Sequence, residues 1–323
     1  MHAATLGADV ERELRHRDRY TLFDLAADSL LEPITGDANF RVTMYDPEEL
    51  AKTHRAGRHQ YLLARDVFEA DVVLNLPKLK THRKSGLTAA LKNLVGINGN
   101  KDYLPHHRMG GSDVGGDCYP GFAWWKHAAE IYYDQANGFI GTPLHDVWVA
   151  RAERLLALYG RFYDPDIEGG WHGNDTCWRM VLDLNRCLLY GDASGRLHDT
   201  PQRRVFSLTD AITAGHGEGP LAPRPLPLGA VTFAESSAAA DLAHGALFRF
   251  DHRQLALLKG CFAEMRFPIL PSQSMPQFVT PKGLLDYESL ALTYGHPAEP
   301  PRGWKSHCEL SQPARQTRQP VSA

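Results

Sequence analysis

"DVVLNLPKLKTHRKSGLTAALKNLVGINGN", residues 71–100, decides how this chain is built. Its first six residues are mostly apolar and β-branched and stop at Pro77, the pattern of a buried strand ended by a residue without a backbone donor. Beyond the proline, Lys78, Lys80 and His82 occupy alternate positions. Alternate side chains of an extended chain share a face, so the three are expected to converge as the chain leaves the strand. Ser85 then reads as the cap of a helix whose apolar positions Leu87, Ala90, Leu91 and Leu94 recur at helical spacing, with Gly96 as the stop. A helix start beside a cationic strand end favours an anion through its free N–H groups and its dipole. Ligands of open α/β sheets gather beyond the carboxyl ends of strands. The stretch therefore reads as a pocket for phosphate or carboxylate, with Lys92 and Asn93 reaching a second group if their helix face turns inward. The competing reading is a set of lysines that merely solvates a loop.

Composition bounds what such a pocket belongs to. With 323 residues, 43% hydrophobic and 23% charged, the chain resembles an ordinary globular protein with a sizeable core. Its five cysteines, Cys118, Cys177, Cys187, Cys261 and Cys308, lie far apart without a Cys-x-x-Cys spacing, which gives no support to disulfides, zinc ribbons or iron–sulfur clusters. No apolar run approaches the roughly 20 residues of a membrane span, and the first residues lack the apolar segment of a signal peptide. A cytoplasmic location without a membrane partner is the expectation. The net charge is -3, yet between Lys78 and Arg108 seven Lys or Arg stand against one acid, whereas residues 109–183 hold eleven acids and five bases. A basic segment facing an acidic one suits an anion handled together with a divalent cation, although both segments also read as plain solvated surface.

Coarse reading places strands at 20–25, 40–45, 203–212 and 228–235 and a helix opening at Asp46-Pro47. Helices are expected at about 122–137, 143–162 and 174–190, and in the stretches 236–250 and 252–262. The architecture expected is one α/β domain over residues 1–294, a mixed or parallel sheet flanked by helices. It carries a long glycine- and histidine-rich loop at 97–121 and a helical insertion at about 122–190. Residues 295–323, with scattered Pro, Arg, Gln and Ser, read as a disordered tail.

A second chemical block is "RRVFSLTDAITAGHGEGP", residues 203–220, where an apolar strand runs into Asp210 and a glycine loop holding His216 and Glu218. Carboxylates at strand ends suit metal binding or acid–base work, and Gly215, Gly217 and Gly219 let backbone approach a ligand. Asp210, His216 and Glu218 are the catalytic candidates. Asp210 and Glu218, joined by Asp241, would make a hard-cation set, unless Asp210 only caps a turn. In "LPHHRMGG", His107 and Arg108 read as part of a lid, with Arg108 gripping an oxyanion in bidentate fashion. Aromatic runs at 122–133 and 147–163 have helical spacing and read as core or as the face of a homo-oligomer. Dinucleotide, P-loop and nucleophile-elbow motifs are absent from the sequence.

The segments "ADVVLNLPKLKTH", "GLTAALKNLVGINGNKDYLPHHR" and "SLTDAITAGHGEGPLAP" resemble the family catalogued as domain of unknown function 362, over about residues 20–265. That resemblance implies an α/β fold. Some members carry ferredoxin-type cysteine clusters, implying redox chemistry for them; this chain has no such cysteines, so an iron–sulfur cluster is not expected. The resemblance also implies a Lys-Pro-Asn element before the strand region, which has no counterpart in this sequence. The functional expectation is an enzyme acting on an anionic small molecule, phosphorylated or carboxylated, by metal-assisted or redox chemistry. Lys78, Lys80, His82, Lys92, Asn93, His107 and Arg108 would hold the substrate, with a divalent cation as the candidate cofactor. The alternative is a non-catalytic anion-binding or accessory protein. Nucleic acid is not expected, because the basic patch is compact and the chain is net acidic.

Overall fold

A computed structural model describes residues 19–36, 39–42, 45–270, 272 and 274–310. Ten strands carry the argument: β1 (Tyr20–Asp24), β2 (Phe40–Arg41), β3 (His54–Arg55), β4 (Arg58–Ala64), β5 (Val72–Asn75), β6 (Lys78–His82), β7 (Gly86–Thr88), β8 (His107–Arg108), β9 (Arg204–Glu218) and β10 (Ala222–Ala234). The helices are α1 (Pro47–Thr53), α2 (Ala90–Asn93), α3 (Trp124–Gly138), α4 (Pro143–Tyr159), α5 (Cys177–Tyr190), α6 (Ser237–Leu247), α7 (Ala256–Gly260) and α8 (Tyr287–Tyr294). The fold is α/β, with a mixed five-stranded sheet, a separate antiparallel sheet β1–β4–β3, and flanking helices.

β5 and β6 lie end to end along one edge of β9, both parallel to it, with Val72 opposite Arg204, Asn75 opposite Ser207 and Lys78 opposite Asp210. Pro77 marks the joint, its carbonyl accepting from the Asp210 amide at 3.0 Å. The two motif-bearing strands thus share a sheet and a direction, as their common pattern of apolar run and charged exit implies. β9 continues through "GHGE" to Glu218 and pairs antiparallel with β10, so the expected glycine loop is the far half of a long strand. Nor is β5 buried on both faces. Val72 and Leu74 share an exposed face with Leu208, Ile212, Val231 and Phe233, while Asn75, Ser207 and Thr209 face inward. Period-two alternation, rather than a continuous apolar run, is what this strand obeys.

Ser85 does not start a helix. Gly86 takes φ +74°, and a side chain there would meet Leu255 and Trp304, so residues 83–85 form a tight turn and the chain folds back as β7 against β6. The Ser85 hydroxyl donates to the Leu87 carbonyl at 2.9 Å. Helix α2 begins only at Ala90, and the anion at its start is the protein's own. Asp241, fully buried on α6, accepts from the amides of Ala90 and Leu91 at 2.7 and 2.9 Å and from His244 Nδ1 at 2.8 Å. With both oxygens spent there, Asp241 is no member of a cation site with Asp210 and Glu218.

The core centres on α5, whose Met180, Val181, Leu182, Leu184, Cys187 and Leu188 are fully enclosed, each Leu contributing about 1.5–3 kcal/mol by burial. Asp183 on the same helix is buried yet satisfied: it accepts from the Ser29 hydroxyl, the Leu30 amide at 3.0 Å, Tyr61 Oη at 3.2 Å and Arg186 at 2.8 Å. Only α3 and α4 form the helical insertion, an antiparallel hairpin closed by Trp125 stacked on Tyr159 at 5.3 Å, with a small core of its own. α5 belongs to the main core. The segment 295–310 is packed rather than a free tail, for Ala298, Trp304 and Cys308 are buried and Trp304 Nε1 donates to the Arg83 carbonyl at 2.6 Å. Residues 311–323 lie outside the described residues.

Candidate functional site

At the carboxyl end of β6 the β6–β7 turn, the β9–β10 turn, the residue before β8, the segment 168–170 and the packed C-terminal segment enclose a cleft of about 720 Å³. Close backbone approach makes it possible. Gly219 lies so near Thr81 that any side chain would strike the Thr81 carbonyl, and its own carbonyl accepts from the Arg83 amide at 3.0 Å. His82, Arg83, Lys84, Lys101, His106 and Arg302 line the cleft together with the acids Glu168 and Glu218.

These cations are not equivalent. Arg83 reaches Asp166 at 2.6 Å and Glu218 at 3.7 Å, Arg302 pairs with Asp164, and Lys101 lies over the Tyr45 ring at 4.7 Å. Lys84, half-buried, has no carboxylate within ion-pair distance among the described residues, and the same holds for nearby Lys80 and Lys92. Burial pushes the Lys84 ammonium below its usual range, only partly offset by the charge of Glu168 and, more weakly, Asp166. Both histidines are held neutral. Burial drives His82 and His106 well below the usual imidazole range, with Lys92 and Lys84 repelling a proton on each. Hydrogen bonds fix their tautomers: His106 Nδ1 donates to the Leu104 carbonyl at 2.7 Å, leaving Nε2 as an acceptor. His82 Nδ1 accepts from the Lys84 amide at 3.0 Å, leaving its proton on Nε2. The cleft therefore combines unpaired positive charge with one imidazole that offers a lone pair and one that offers a proton.

Residues 16–244 match the family described as Domain of unknown function (DUF362). The chain belongs to the DUF362 family. No curated protein and no solved structure matches it.

Within this DUF362 fold the residues expected from the sequence divide. His82 and Glu218 line the cleft, and Lys80 and Lys92 act on His82 from beside it. Lys78 does not: it pairs with Asp210 at 2.7 Å on the outer face of the sheet, where both side chains are about half exposed. Asp210 and Glu218 flank opposite ends of β6, roughly 13 Å apart by strand rise, and cannot share a cation. Each is also engaged, Asp210 with Lys78 and the Ile212 amide, Glu218 with the Arg302 amide at 2.7 Å. His216 turns to the C-terminal segment, its Nδ1 accepting from the Glu299 amide at 3.1 Å. Asn93 binds Asn75 at 2.7 Å and Arg108 pairs with buried Asp117 at 3.3 Å, so neither is free to grip a substrate. His107 points away from the cleft into the interior.

Sequence reasoning missed Lys84, Arg83 and Arg302 as site residues, and read His106 only as part of a polar lid segment. The signal for Lys84 was present, because the alternation of Lys80 and His82 extends one step further; expecting a helix at Ser85 cut it short. For Arg302 no local signal exists, since its place depends on Trp304 and Ala298 anchoring a segment that reads as disordered.

Proposed function

We propose that the cleft binds an anionic small molecule, phosphorylated or carboxylated, and that the protein is an enzyme that moves a proton on it. The observation that carries this reading is Lys84: a half-buried ammonium with no carboxylate within ion-pair distance among the described residues, flanked by Lys80 and Lys92, in a cavity of about 720 Å³, the size of ordinary ligand sites. Positive charge concentrated in a partly desolvated cleft is self-repulsive, and an oxyanion relieves it. Lys84 would hold the anion, with His106 Nε2 accepting a proton and His82 Nε2–H donating one. A divalent cation bridging Asp210 and Glu218 has no place in this mechanism. Five unpaired, buried thiols fit a reducing compartment and support a cytoplasmic setting.

Calorimetric titration with inorganic phosphate, followed by a turnover screen of phosphorylated and carboxylated small molecules, tests this. His106→Gln should lower turnover by about 100-fold or more while leaving phosphate affinity within a few-fold, because proton transfer acts in the transition state. Binding without turnover of any such compound would leave a non-catalytic anion-binding protein; no binding would remove the reading altogether.

A further inference from the structure

On the inner side of β8, away from the cleft, three different donor groups meet. A ring nitrogen of His107, Sγ of Cys118 and a carboxylate oxygen of Glu130 all lie within 4.8 Å of one another. All three residues are enclosed, with relative exposures of 3%, 1% and 7%. His107 Nδ1 is buried and has no hydrogen-bond partner, a state that few buried polar atoms adopt. One helical turn before Glu130, His127 Nδ1 lies 3.8 Å from Glu130 Oε2 and is likewise buried without a hydrogen bond. We propose that His107, Cys118 and Glu130, with His127 as a fourth donor, form a binding site for a divalent transition metal of the zinc class.

Donor chemistry selects the ion. A nitrogen, sulfur and oxygen set suits borderline-soft zinc, whereas calcium and magnesium require oxygen ligands throughout. Metal–ligand bonds of about 2.0–2.3 Å place tetrahedral donors roughly 3.3–3.8 Å apart, so the three enclosed donors need to contract by only about 1 Å, and His127, beside Glu130, would turn in to complete the set. Charge balances as well: a thiolate and a carboxylate neutralise a dication, and the buried imidazole, kept neutral by its surroundings, supplies a lone pair. The carboxylate is already oriented by outer contacts, accepting from the Gly110 amide at 2.9 Å and from Tyr119 Oη at 3.2 Å. Binding would displace the Cys118 proton to solvent and tie α3 of the helical hairpin to the strand that positions His106. This site stands independently of the anion cleft.

The test is titration of the untagged, chelator-dialysed full chain with Co(II) alone and with Zn(II) alone. One equivalent of Co(II) should bind the apo protein with release of a proton and a near-ultraviolet sulfur-to-cobalt band, and Zn(II) should then displace it with loss of the band. Cys118→Ser should abolish the band, while Cys177→Ser, at a thiol elsewhere in the core, should retain it. Should Cys118→Ser fail to fold, Glu130→Gln serves: the band persists but affinity falls by about tenfold or more. Folded wild-type protein that gives no such band, a band that survives Cys118→Ser, or unchanged affinity in Glu130→Gln overturns the proposal.

Discussion

His106 and His107 are neighbours in sequence and face opposite sides of the chain at β8. His106 looks into a cleft where Lys84 has no carboxylate within ion-pair distance among the described residues; His107 looks into an interior where imidazole, thiol and carboxylate converge. One region gathers cations around a Lys84 that is unpaired among the described residues, and the other gathers electron-pair donors. A period of two in an extended chain is enough to separate them. Adjacent histidines are therefore not one site, and the burial of each ring, not its place in the sequence, determines what it does.

The widest gap between the two regions should appear in stability. On the interior side, Asp117 is buried and accepts from the Arg108 amide and guanidinium, the Asp175 amide and the Thr176 hydroxyl. Asp117→Ala strands those donors and should cost roughly 3–5 kcal/mol in urea unfolding; a loss below about 1 kcal/mol would show that this side is no better ordered than the cleft.

Acid should loosen both regions, through the same residue type. Burial holds His54 down to about 3 and pushes His82, His106 and His107 well below the usual imidazole range. Between the folded and unfolded values the unfolded chain binds more protons, so this stability is complete above about pH 6.5 and is lost as pH falls below it. Each histidine contributes a slope of up to about 1.4 kcal/mol per pH unit. Burial raises the carboxyls of Asp117 and Glu130, which offsets part of the loss at lower pH. A flat urea midpoint between about pH 7 and pH 5 would contradict the neutral histidines.

In the cleft alone, a bound anion should restore proton affinity to His106 and His82. Sulfate, whose charge is constant here, should bind several-fold more tightly at about pH 6 than at about pH 8. His106→Gln should reduce that dependence, and an undiminished dependence would remove His106 from the site. The smallest effect belongs to Asp210→Asn. Its carboxyl is held below the usual range by the Lys78 hydrogen bond, but the pair is exposed, so melting temperature and sulfate affinity should both stay within error of wild type.

Much of the scaffold was legible in the sequence because periodicity and punctuation act locally. Asp46-Pro47 starts α1 with the Asp46 carboxylate accepting from the Glu48 amide, and the long amphipathic runs gave α3, α4 and α5. That β5 and β9 share a sheet and a direction followed from two strands of like pattern; their direct pairing is what the structure adds. Reading failed where distant contacts override local signals. Gly86 turns the chain because Leu255 and Trp304 fill the space beside it, and Asp241 caps α2 from about 150 residues away. In the site, His82, Lys80, Lys92 and Glu218 were legible from alternation and charge. Lys78 and Asp210 were misplaced because they neutralise each other outside the cleft, and Arg302 because only tertiary packing brings it there.

Sulfate calorimetry on three proteins, wild type, Lys84→Ala and Lys78→Ala, tests the anion cleft most directly. Charge-assisted hydrogen bonds of about 1.5–3 kcal/mol predict that Lys84→Ala weakens binding by roughly ten- to hundredfold. Lys78→Ala, on the outer face, should bind as wild type does. Equal affinity in wild type and Lys84→Ala, or equal losses in the two variants, would contradict the account.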